Sequence, residues 1–80
     1  MEHTRAIIYS TLQHLIENDP EQHAQIRQTL YEQLSLPFEK QLALYNHILG
    51  PVSAGRLGSD NLKQTVDLAL EVLNTPQSSL

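Results

Sequence analysis

Ile16-Glu17-Asn18-Asp19-Pro20-Glu21-Gln22 holds the clearest boundary in the chain. Asp19 suits a helix N-cap, Pro20 suits the first helical position because its missing N–H would have no partner there, and Gln22 completes an Asp-x-x-Gln variant of the capping box. One helix must end just before this stretch and another must begin within it. Upstream, Ile8, Leu12, Leu15 and Ile16 recur at helical spacing with Ile7 and Tyr9 at the edges, which predicts a helix over 3–17. Downstream, Ile26, Leu30 and Leu34 form a narrow stripe, with Ala24 and Tyr31 beside it, and predict a second helix over 20–34. Ser35-Leu36-Pro37 repeats the punctuation with Ser35 or Leu36 as cap, so a third helix is expected over 37–49 on the stripe Phe38, Leu42, Tyr45 and Leu49. Gly50-Pro51 reads as its end, a left-handed residue followed by a stop. The next ten residues, 50–59, read as a loop with Val52 and Leu57 tucked inward. Ser59 or Asp60 caps a fourth helix over 60–74, with Leu62, Val66, Ala69, Leu70 and Leu73 on one side.

No segment has the period-2 alternation of a strand, so the predicted fold is all-α, a compact bundle of four short helices. Residues 1–75 are expected to form one domain, and 76–80 a frayed tail. The 80 residues are 40% hydrophobic and 18% charged, enough apolar material for a core and too little charge for disorder. A chain of this size buries only about 60% of its surface, so its stability is thin.

The absence of cysteine removes thiol catalysis, cysteine-based zinc sites and disulfides, and fits a reducing compartment. Net charge is −4, and Arg5, Arg27, Lys40, Arg56 and Lys63 are scattered, which argues against a nucleic-acid partner that must be met at several phosphates at once. No apolar run approaches the ~20 residues of a membrane span and no leader pattern appears near Met1, so the expected location is cytoplasmic, with no membrane partner.

The segment Gly50-Pro51-Val52-Ser53-Ala54-Gly55-Arg56-Leu57 has the glycine spacing of a phosphate-binding loop but the wrong chemistry. Arg56 stands where lysine belongs, Leu57 replaces the metal-binding hydroxyl, and Pro51 removes a backbone donor. Leu57-Gly58-Ser59-Asp60-Asn61-Leu62, followed by Val66 and Leu68, resembles the segment around the prosthetic-group serine of acyl carrier proteins, Leu-Gly-x-Asp-Ser-Leu. Asn61 occupies the serine position, so no phosphopantetheine can be attached, and the likeness is read as shared helix capping. His3 and His14 share a face of the first helix but lie about 16 Å apart along it, and no Glu-x-x-His pair occurs. No metal, cofactor or catalytic constellation is therefore expected, and the chain is read as a non-enzyme.

His23 has two readings: a partly buried group hydrogen-bonded to a neighbouring helix end, or a polar group in a contact surface with Arg27 at its edge. Helices three and four carry more apolar surface than one stripe requires, because Leu44 and Ile48 widen the third and Leu68 and Val72 the fourth. Burying these four stabilises by an upper estimate of ~6–12 kcal/mol, at ~1.5–3 per side chain. The expectation is a protein-protein interaction module, meaning an adaptor, regulatory antagonist or chaperone. It would bind a protein partner or a second copy in a homodimer through Leu44, Ile48, Leu68, Val72, His23 and Arg27. The alternative is a helix-turn-helix DNA-binding regulator using helices two and three, with Lys40 as the one basic residue opening the recognition helix.

Overall fold

The computed structural model describes residues 2–74. The expected tail at 76–80 lies outside the described residues. Five helical segments, α1 (Glu2–Glu17), α2 (His23–Gln33), α3 (Phe38–Leu44), α4 (Gly50–Ser53) and α5 (Leu62–Asn74), make an all-α fold of four helical rods, because α3 and α4 are joined through a π-turn at Tyr45–Leu49. A 3-10 turn at Pro20–Gln22 leads into α2. The core is built from Ile8, Leu12 and Leu15 of α1, Leu30 of α2, Leu44, Ile48, Leu49 and Val52 of the third rod, and Val66 and Ala69 of α5. The rod α1 is the hub, packed on α2, α4 and α5, while α5 also lies against α3 and the π-turn.

The first boundary falls where Asp19 and Pro20 put it, although the Asp19 side chain makes no capping hydrogen bond and only its carbonyl is used, by the Gln22 N–H at 2.9 Å. The second boundary works differently from the expectation. Ser35 does not cap α3; it sits at φ 51, in the left-handed region, and closes α2. The Leu36 N–H donates to Tyr31 O at 3.1 Å and the Ser35 N–H to Glu32 O at 3.2 Å, the paired bonds of a Schellman ending. Pro37, extended at φ −68 and ψ 162, is the residue that caps α3.

The third rod corrects the sequence reading most. Gly50-Pro51 does not stop it: Gly50 is helical at φ −61, and the rod runs on to Ser53. Pro51 has no N–H to give to His47 O, and its ring would crowd that carbonyl in a regular α-turn. An extra residue is taken up in the turn just before it, where the Gly50 N–H reaches back five residues to Tyr45 O. Glycine is required there for close approach, since a Cβ on Gly50 would sit 3.0 Å from Tyr45 O and 3.6 Å from the Tyr45 ring. The left-handed ending comes at Gly55, φ 77, with the Arg56 N–H on Pro51 O at 2.9 Å and the Gly55 N–H on Val52 O at 3.0 Å. Half of the segment with a phosphate-binding loop's glycine spacing is therefore helix, as its chemistry already argued against such a loop.

The link to α5 is held by a second left-handed glycine, Gly58 at φ 98, which is buried against Val52, Ile16 and Thr65. Asn61, not Ser59 or Asp60, stands at the head of α5. Its carbonyl accepts from the Thr65 N–H and the Thr65 hydroxyl, both at 3.0 Å, and its side-chain Oδ1 accepts from the Gly58 N–H at 3.2 Å. The stretch that resembles an acyl carrier segment is thus a loop-and-cap device, with Asn61 turned back into its own loop.

Candidate partner-binding face

The inserted residue of the π-turn decides which apolar residues reach the surface. In an uninterrupted α-helix, at about 100° per residue, Phe38, Leu42, Tyr45 and Leu49 would form one continuous stripe. The wider turn rotates everything after Tyr45, so that Leu49 and Val52 join Leu44 and Ile48 in the core. The first three are left outside: Phe38 is 70% exposed, Leu42 48% and Tyr45 41%.

This reverses the expected assignment of faces. Leu44 and Ile48, expected on a contact surface, are enclosed by their own chain. His23 takes the first of its two readings and leaves the contact surface: it is 5% exposed, and its Nε2–H donates to Asn18 O at 3.0 Å, pinning the start of α2 to the end of α1. Val72 is half-buried and packs on the core, and Leu68 is 43% exposed on α5. A single leucine in water needs no partner to explain it. Arg27 is half-buried, and its guanidinium lies over the Tyr45 ring, 5.0 Å from the centroid. Such a cation on an aromatic face is attracted by the ring quadrupole.

The neighbourhood of Tyr45 continues onto α2 through Tyr31. Burial pushes the Tyr31 phenol above its ordinary value; the Arg27 guanidinium opposes that rise and Tyr45 adds to it. Two side chains brace the outward stripe. Gln41 Nε2 donates to Leu36 O at 2.9 Å, and Lys40 Nζ donates to Leu73 O near the end of α5, where a cation also meets the negative end of the helix. Phe38 and Leu42 therefore project from a fixed rod. The signal that sequence reading lacked was the residue count within 45–49, because a 3.6-residue period gives no sign of an extra residue.

Other features lead elsewhere. Among the described residues no group of three or more His, Asp or Glu could hold a metal ion. His14 Nδ1 lies 2.7 Å from Ser10 O of its own helix. A shallow depression bounded by Glu2, Arg5, Ala6, Tyr9, Ser10 and Gln13 is formed, among the described residues, by one face of α1. No helix among the described residues is long and apolar enough to cross a membrane.

Residues 4–77 match the family model described as "Pas factor saposin fold". The chain belongs to this family. That match spans all four rods, and the Pas factor saposin fold is all-α, as the structure is. A search of the curated proteins finds no match. Membership in the Pas factor saposin fold family therefore fixes the architecture, and the reading of function rests on the face itself.

Proposed function

We propose that this chain is a small protein-interaction module, acting as an adaptor, regulatory antagonist or chaperone, and that it binds through the outward stripe Phe38, Leu42 and Tyr45. The observation that carries the reading is the 70% exposure of Phe38 on a rod braced on both sides by Gln41 and Lys40. A rigid apolar ridge in water costs solubility, and covering it recovers ~1.5–3 kcal/mol for each side chain fully buried. The expected homodimer is not carried forward, since two of the four residues that motivated it lie in the core. The helix-turn-helix alternative also loses its support: Lys40, the one basic residue of the would-be recognition helix, is engaged with Leu73 O. The absence of cysteine fits a module working in the reducing cytoplasm.

The test uses a photo-crosslinking amino acid placed at position 38, 42 or 13 of the full chain, in lysate of the source cells. Crosslinks to one defined protein from positions 38 and 42, absent from position 13 on α1, are expected. They should disappear when unmodified wild type is added as a competitor and persist when the Phe38→Ser/Leu42→Ser double variant is added instead. The reading is overturned if the double variant, still helical by circular dichroism, competes as well as wild type.

A further inference from the structure

The charge beside the stripe and the size of the stripe together specify what would cover it. Arg27 is a half-buried cation, and among the described residues no carboxylate lies within ion-pair distance of it; Arg5 is paired with Asp67 at 2.7 Å. In a chain of net charge −4, this cation sits at the edge of an apolar ridge, held in place over Tyr45. A guanidinium fixed on a ring keeps its donors pre-organised for a planar carboxylate. The exposed parts of Phe38, Leu42 and Tyr45 together offer on the order of 300 Å², taking ~200 Å² for each such side chain. A stable two-fold dimer buries about 800 Å² on each partner. The stripe runs from position 38 to position 45, about 10 Å along the rod, which is the span of two turns of a facing helix with anchors at i, i+4 and i+7.

Resting on the interaction reading above, we infer that the face takes a short amphipathic helix of a partner protein, with two or three large apolar side chains and an acidic residue along one edge that pairs with Arg27. The apolar anchors cover Phe38, Leu42 and Tyr45, and the carboxylate sets the register and direction of the partner helix. A second copy of this chain fits less well, because the ridge is under half the area that a stable dimer requires.

Because the chain contains no tryptophan, a tryptophan in a probe peptide reports binding without interference. Two synthetic helical peptides are titrated with the full chain at low salt. Both carry Leu, Trp and Leu at i, i+4 and i+7, and they differ only in having Glu or Lys along one edge. The Glu peptide is expected to bind about tenfold more tightly than its Lys twin. Arg27→Met, which keeps the stem on Tyr45, should reduce that ratio to near one, while Arg56→Met, an exposed cation on the loop, should leave it unchanged. Equal binding of the two peptides to wild type overturns the Arg27 pairing and leaves the apolar face standing. Binding of neither peptide overturns the helical partner, and if phosphatidylglycerol vesicles are then bound through Phe38 the occupant is a lipid surface instead. A loss of the ratio in Arg56→Met equal to that in Arg27→Met reduces the effect to net charge and also overturns the pairing.

Discussion

Leu42 and Leu49 lie seven residues apart, the spacing at which a regular α-helix presents two side chains on the same side, and truncating each to alanine measures what the π-turn does. Leu49 is fully buried and Leu42 is 48% exposed. Leu49→Ala removes three carbons from a closed core and leaves a cavity, a change that costs about 2–5 kcal/mol. Leu42→Ala gives up roughly half of a ~1.5–3 kcal/mol transfer contribution and leaves no cavity, so its cost is about 1 kcal/mol or less. In a domain of this length each kcal/mol moves the melting temperature by roughly 4–8 °C. Thermal unfolding followed by circular dichroism at 222 nm should therefore place Leu49→Ala at least ~8 °C below wild type and at least about twice as far below it as Leu42→Ala. If Leu49→Ala does not fold, Leu49→Met provides a milder perturbation, expected to cost under ~1.5 kcal/mol and still more than Leu42→Met. Equal losses at the two positions would mean that the stripe is continuous and the face assignment is wrong.

Three further outcomes follow from backbone and titration. Ser35 holds a left-handed conformation that costs an L-residue about 1–2 kcal/mol, so Ser35→Gly should raise the urea midpoint by the equivalent of ~0.5–1 kcal/mol, part of the gain being offset by glycine's freer unfolded chain; an unchanged or lower midpoint contradicts the Schellman ending. Gly58→Ala meets both a φ of 98 and Val52 Cγ2 at 3.4 Å, and should destabilise by ~1–2 kcal/mol or more, whereas Gly55→Ala, with nothing within 4 Å of its Cβ, should show the backbone cost alone. The Tyr31 phenol is raised above 10.0 by burial, so its contribution to stability is present in full below the unfolded value and is lost as pH climbs through the folded one. Tyr31→Phe should flatten the alkaline fall in stability, and Arg27→Met should push the Tyr31 titration, read as phenolate absorbance, further up.

What the sequence made legible follows from which residues act locally. Asn18-Asp19-Pro20 and the Ser35-Leu36-Pro37 link could be read because proline and its neighbours restrict the backbone wherever they occur, and the helical spacing of Ile8, Leu12, Leu15, Val66 and Ala69 identified two inner faces correctly. Gly50-Pro51 was misread because the same two residues that end most helices also allow a wide turn, glycine by admitting Tyr45 O at short range and proline by having no donor to lose. The phase across 45–49 was off in consequence: Phe38, Leu42 and Tyr45 lie outside the core and Leu44 and Ile48 inside it, while Leu49 keeps its expected place in the core. His23 could be narrowed to two environments, and only the position of Asn18 O relative to α2 decides between them. That no carboxylate among the described residues reaches Arg27 was equally out of reach, since it depends on which carboxylates other helices bring near.

The π-turn also divides labour along a single rod. Before it Phe38 and Leu42 face water and Leu44 faces the core, and after Tyr45 the residues Ile48, Leu49 and Val52 all face the core, with one surplus residue between the two registers. If the proposed interaction holds, positions 38, 42 and 45 can change with the partner while Leu44 and 48–52 keep the domain folded, a separation that a helix of uniform pitch, with Leu49 on the same stripe as Leu42, does not offer.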